Sequence, residues 1–186
     1  IKNKKWCPTV IAAIDDELMD KLPKLYDSSG ICGIIRENLA KEWDLPKNTI
    51  VSMGGGDNMM GAIGTGNVKD GIVSASFGTS GTIYAYSSRA IIDKKGEIAG
   101  FCDSTGGYLP LVCTQNVTLV TEMVRNKYGW NYSEFSSKIA KVPAGSNGLI
   151  MLPYIEGERT PNIPKATGVL FGYNNQTHHP SYEARA

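Results

Sequence analysis

The chain has 186 residues, 41% of them hydrophobic, with a formal net charge of +1 and 19 basic residues scattered along its length. That length can bury one solid core or parts of two, and the charge leaves no electrostatic footprint for nucleic acid or an anionic membrane. No apolar run approaches the roughly 20 residues that span a bilayer, and the opening IKNKKWCP is not a secretory signal, so a soluble, cytoplasmic protein is expected.

Pro8 suits a first helical turn, and Val10, Ile11 and Ile14 follow it, so a short helix is predicted to open the chain and to end near Asp15. A second helix is predicted over residues 16–22, stopped by Pro23. Ile31, Ile34, Ile35, Leu39 and Trp43 recur at helical spacing with charged residues between them, which predicts an amphipathic helix. Leu45-Pro46 breaks that pattern, and Ile50 to Met53 reads as a short apolar strand.

Gly54, Gly55 and Gly56 follow that strand, then Asp57, then a small-residue run from Asn58 to Gly64 that predicts a tightly packed helix. A strand that ends in glycines offers a bare backbone, which another backbone or a ligand can approach closely. Asp57 is the first side chain after the turn. It has two readings: an ordinary helix cap, or a general base able to accept a proton from a substrate hydroxyl.

Residues 67–71 form a polar, turn-rich link and mark a domain boundary. Residues 72–77 and 82–86 are β-prone runs joined by Gly78-Thr79-Ser80-Gly81, the spacing of a hairpin. Glycines and hydroxyl residues are common in turns. Successive N–H groups with two hydroxyls also make a small concave anion site suited to phosphate oxygens. A third strand is predicted at 108–113, and the three strands suggest a mixed sheet with an antiparallel edge.

Helices are predicted over 117–128 and 133–140, the run 149–152 resumes the sheet, and 153–161 is an irregular charged loop. Residues 168–172 are a further short apolar run, and 183–186 open a last helix, so an internal piece of a longer protein is expected. Cys7, Cys32, Cys102 and Cys113 form no CxxC pair and read as reduced thiols. His178 and His179 are adjacent and read as loop residues, so no metal is assigned to side chains.

Five segments in order, GGGDN at 54–58, GAIGTG at 61–66, SFGTSG at 76–81, LPYIEGERTP at 152–161 and GVLFG at 168–172, resemble the FGGY family of carbohydrate kinases. The resemblance covers nearly the whole chain. It implies an α/β, ribonuclease-H-like (actin-type ATPase) fold, with residues 1–68 ending a sugar-binding first lobe and residues 69–186 beginning an ATP-binding second lobe. It further implies transfer of the γ-phosphate of ATP, with Mg²⁺, to a sugar hydroxyl. The GGGDN form of the central motif resembles members acting on a ketopentose, D-xylulose.

Carried over residue by residue, Asp57 matches the family's catalytic base and Asn58 its neighbour in the sugar site. Gly78, Thr79, Ser80 and Gly81 match the loop facing the ATP phosphates. Base and loop would then face each other across a cleft. Thr114-Gln115-Asn116 falls near a further nucleotide-facing stretch, and Glu158-Arg159 belongs to a family motif that equally suits an interlobe brace. The family's N-terminal Asp-x-Gly-Thr loop and C-terminal adenine site are not among these residues, so the chain is expected to be inactive alone. A homodimer is the family expectation. The competing readings are a non-catalytic, actin-like nucleotide- or sugar-binding module and a kinase of the same family for another sugar or polyol.

Overall fold

The computed structural model describes all residues, 1–186. The chain divides into two compact units, one of Ile1–Ser74, Tyr84–Lys94 and Ile98–Leu111, the other of Ala75–Ile83, Lys95–Glu97 and Val112–Ala186. A four-stranded sheet has the order β3 (Val73–Phe77), β4 (Gly81–Ala85), β6 (Tyr108–Thr114), β5 (Ala99–Cys102).

In the first unit, α1 (Pro8–Ala12) starts at a proline whose fixed φ suits the first turn. The second helix, α2, is only Leu18–Lys21. The indole of Trp6, just before α1, donates to the carbonyl of Pro23, just after α2, at 2.9 Å, tying together the two ends of this helix pair.

The predicted amphipathic helix over 31–43 does not form as such. Ile31–Ile34 is a strand, β1, antiparallel to β2 (Ile50–Ser52), with Ile31 opposite Ser52 and Ile34 opposite Ile50. Only Glu37–Glu42 is helical, as α3. Gly33 in the middle of the run and three β-branched isoleucines weaken a helix and suit a pleated strand, and β2 satisfies the backbone groups. Ile31, Ile34 and Trp43, predicted to share a buried face, are all exposed.

The helix after the glycines is α4 (Asp57–Gly64), as expected within one residue. The fold also contains β5, which sequence patterning does not predict. All four of its residues are exposed and one is Gly100, so no apolar alternation marks it. It pairs antiparallel with β6, Ala99 opposite Leu111 and Cys102 opposite Tyr108. Ile11, Ala40, Ala62, Tyr84, Leu109 and Leu111 form the buried apolar set of this unit.

In the second unit, α5 (Thr118–Lys127) buries Val120 and Val124. The next helix, α6 (Tyr132–Ile139), opens on a capping box: the Asn131 side chain accepts the Glu134 N–H and the Glu134 carboxylate accepts the Asn131 N–H, each at 2.9 Å. The run at 149–152 does not rejoin the main sheet. Ile150–Leu152, β7, pairs antiparallel with β8 (Val169–Phe171) in a separate two-stranded sheet. The last helix, α7 (Pro180–Arg185), packs on α5 and α6, and Lys127 and Tyr128 both donate to Glu183 across that contact. His179 is its N-cap, with Nδ1 accepting the Ser181 N–H at 3.2 Å.

No helix is long and apolar enough to cross a membrane. The four cysteines are unpaired, Cys113 half-buried and the other three exposed.

Candidate functional site

The turn after β2 is lashed down by its neighbours in the first unit. The Met53 N–H donates to the Gly30 carbonyl at 2.9 Å and the Gly54 N–H to the Ser28 carbonyl at 3.2 Å. Ser28 Oγ in turn donates to Ser104 Oγ at 3.1 Å. Gly54 has φ +72°, open to glycine and rarely adopted by other residues. At Gly55 a Cβ would stand 2.5 Å from Ser104 Oγ and 2.8 Å from Met60 Cε, so only glycine lets these elements close up.

Gly56 is the N-cap of α4, with extended backbone and no side chain to offer. Asp57 is therefore the first helical residue rather than the cap. Its side chain is exposed, and Oδ1 accepts the N–H of the adjacent Asn58 at 2.8 Å. A carboxylate at the first position of a helix sits where the free backbone N–H groups favour negative charge. The geometry offers a fixed, solvent-facing proton acceptor on a rigid element. Asn58 is half-buried beside it. Ser28 and Ser104 are supports that sequence reading missed, since their only signal is a fit to a glycine distant in sequence.

The segment 78–81 lies in the second unit. Gly78, Thr79 and Ser80 are exposed and Gly81 is buried. The Gly78 N–H closes the turn onto the Ser80 carbonyl at 2.9 Å. The base of the turn is docked on the start of α5: the Thr118 N–H donates to the Gly78 carbonyl at 3.1 Å and the Val117 N–H to the Thr79 carbonyl at 3.3 Å. Gly81 completes the contact, because a Cβ there would meet Val117 Cγ2 at 2.8 Å. These bonds use orphan donors of the helix N-terminus and present a tip of small residues and hydroxyls to solvent.

The same unit contains a buried carboxylate. Glu158 is 2% exposed and accepts from Thr114 Oγ1 at 2.6 Å, the Gln115 N–H at 2.7 Å, Asn116 Nδ2 at 2.9 Å and the Arg159 N–H at 2.6 Å. Burial works against its ionised form, but the donors from Thr114, Asn116, Gln115 and Arg159 outweigh it and lower the pKa to about 2. Arg159 forms no ion pair with it; the guanidinium instead donates to Cys113 Sγ at 3.3 Å. All these partners lie within the second unit. Residues 114–116 and the Glu-Arg motif, read separately in the sequence, are thus one hydrogen-bonded knot.

The fold is shared with solved FGGY sugar kinases, which have an actin-like ATPase fold. A xylulose kinase from Bifidobacterium adolescentis superimposes with a TM-score of 0.75 at 31% identity, over 96% of this chain and 36% of that one. A ligand-bound xylulose kinase from Lactobacillus acidophilus, at 23% identity, shares the fold with a TM-score of 0.87 over 99% of this chain and 38% of its own. Residues 1–64 match the FGGY family of carbohydrate kinases, N-terminal domain. The xylulose kinase of Haemophilus influenzae is 39% identical over 177 residues, 94% of this chain and 36% of the relative. Over nearly all of its length the chain is similar to these FGGY-type carbohydrate kinases, and it spans little more than a third of the length of the relatives it matches.

Proposed function

We propose that this chain carries the central part of an ATP-dependent sugar kinase that transfers the γ-phosphate of ATP to D-xylulose, giving D-xylulose 5-phosphate. The observation that carries the reading is Asp57, an exposed carboxylate at the first position of α4 on a turn held by Gly30, Ser28 and Ser104. The named xylulose kinases among the relatives support the choice of sugar.

A sugar hydroxyl is a poor nucleophile at neutral pH, and a positioned carboxylate that accepts its proton as it attacks assists phosphoryl transfer. Asp57 takes that role and Asn58 contacts the sugar. Gly78, Thr79, Ser80 and Gly81 hold the ATP phosphates through backbone N–H groups and hydroxyls, and the exposed, small tip leaves room for phosphate oxygens. Mg²⁺ carried by ATP neutralises phosphate charge, and no residue of this chain is assigned to it. Residues 1–68 close the sugar-binding lobe and residues 69–186 begin the ATP-binding lobe of a cytoplasmic, homodimeric enzyme.

The test is sugar-dependent ADP release from Mg-ATP by the longest natural form of the polypeptide, comparing D-xylulose with glycerol, gluconate and L-ribulose. Turnover confined to D-xylulose and lost in Asp57→Asn is the expected result. Nucleotide or sugar binding without turnover on any of the four would replace this reading with a binding module.

A further inference from the structure

We propose that Glu158 is a positioning residue for the phosphate-holding turn 78–81, acting through the segment Thr114–Thr118. The inference rests on the reading of that turn given above and assigns a role to a residue 77 positions or more from it in sequence.

A buried carboxylate without a cation is unfavourable unless donors surround it. Glu158 has four donors besides Asn116's backbone: Thr114 Oγ1, the Gln115 N–H, Asn116 Nδ2 and the Arg159 N–H, three of them at 2.6 to 2.7 Å. The Asn116 N–H adds a longer contact at 3.3 Å. Bonds this short are typical of an ionised acceptor. Three consecutive residues, 114 to 116, are therefore gripped by one charge.

The next two residues reach the turn. Val117 and Thr118 donate their N–H groups to the carbonyls of Thr79 and Gly78. In a trans peptide the C=O and the following N–H point in opposite directions, and the one cis bond of the chain is elsewhere, at Thr160-Pro161. The Gly78 carbonyl bound towards α5 therefore turns the Thr79 N–H away from it, and the Thr79 carbonyl does the same for the Ser80 N–H. Two adjacent donors are thereby turned away from the start of α5, an arrangement that a phosphate site can use. Releasing 114–116 would free 117–118, and the two peptide planes could then rotate.

The experiment compares the intact protein with Glu158→Gln and with the milder Thr114→Val, which removes a single donor. Binding of MgADP and of D-xylulose is measured by calorimetry, and amide hydrogen exchange is followed at Val117 and Thr118. Loss of the charge-assisted bonds is expected to weaken MgADP roughly ten-fold in Glu158→Gln and about three-fold in Thr114→Val. D-xylulose affinity should stay within about two-fold, with faster exchange at both amides. A residue that merely stabilises the fold would lower the melting temperature without separating the two ligands. Unchanged MgADP affinity in both variants, or equal loss for both ligands in Thr114→Val, overturns the inference. Failure of the unmodified protein to bind MgADP overturns instead the reading of 78–81 as a phosphate site, and the exchange data still report whether Glu158 holds the turn.

Discussion

Asn67 Nδ2 donates to the Tyr84 carbonyl at 3.0 Å, and its Oδ1 accepts the Tyr86 N–H at 2.9 Å. Asn67 has no exposed surface, and its own N–H caps α4 through the Ala62 carbonyl at 2.8 Å. One side chain thus joins the end of the helix that begins at Asp57 to the strand β4 and its extension. Rigidity at Asp57 comes from both ends of α4: the lashed glycine turn before it and Asn67 after it.

Replacing Asn67 by Ala would remove the side-chain partner of the buried Tyr84 carbonyl and of the half-buried Tyr86 N–H. Each such group costs about 1–3 kcal/mol, so Asn67→Ala is expected to lower unfolding free energy by about 2–4 kcal/mol in denaturant titration. Asn67→Asp should be no milder, because it loses the donor and places a carboxylate against a carbonyl. A change below about 0.5 kcal/mol in both would mean that Asn67 does not hold these elements together.

Asn67 also shows where sequence reading runs out. In the chain it belongs to a polar, turn-rich link, and nothing local marks it as the most enclosed polar residue of its unit. Strong local signals were legible: Pro8 at a helix start, the glycines before α4, and the two helices predicted over 117–128 and 133–140. The segment Ile31 to Trp43 misled because i, i+3, i+4 spacing says nothing of the partner strand β2, which decides the backbone pairing. The site behaved likewise. Asp57 and the 78–81 turn stand out by type and spacing, whereas Ser28, Ser104 and the knot around Glu158 depend on contacts between residues far apart in sequence.

The low pKa of Glu158 makes part of the protein's stability depend on pH. Its folded value is about 2 against an ordinary 4.5, so the unfolded chain binds this proton more readily. The contribution is fully present above about pH 4.5 and is lost as pH falls through the folded value near 2. For so buried a group this contribution is on the order of 3 kcal/mol. Unfolding free energy measured from pH 6 to pH 2 is expected to fall steeply below about 4.5 in the unmodified protein and less steeply in Glu158→Gln. Parallel profiles for the two would show that Glu158 is not the linked group.

Gly157 carries the backbone into that knot with φ +76°, and a Cβ would lie 2.3 Å from the Pro164 carbonyl oxygen. Its carbonyl also accepts Asn116 Nδ2 at 2.7 Å. Backbone cannot give way as a side-chain tip can, so Gly157→Ala is expected to destabilise by more than about 3 kcal/mol. Gly96 is the internal control, with φ +73° but nothing within 4 Å of a Cβ. Gly96→Ala should show the conformational penalty alone, about 1 kcal/mol. Melting curves that shift equally for the two would remove the steric argument.

Asp57→Asn separates chemistry from folding most cleanly. The side chain is exposed, and the bond its Oδ1 accepts from the Asn58 N–H can be accepted equally by an amide oxygen. The melting temperature should therefore move little. What the amide lacks is basicity, since it has no lone pair that takes a proton at neutral pH. Removing a general base typically slows the chemical step by about 10²–10⁴-fold, and kcat for D-xylulose should fall by that factor. Binding of MgADP and of D-xylulose should remain within a few-fold, because Asp57 is assigned proton transfer rather than the bulk of either binding surface. A fall in D-xylulose affinity matching the fall in kcat/KM, with kcat preserved, would make Asp57 a sugar-binding group. Turnover that survives intact would place the base elsewhere in the enzyme and leave Asp57 as a charge favouring the start of α4.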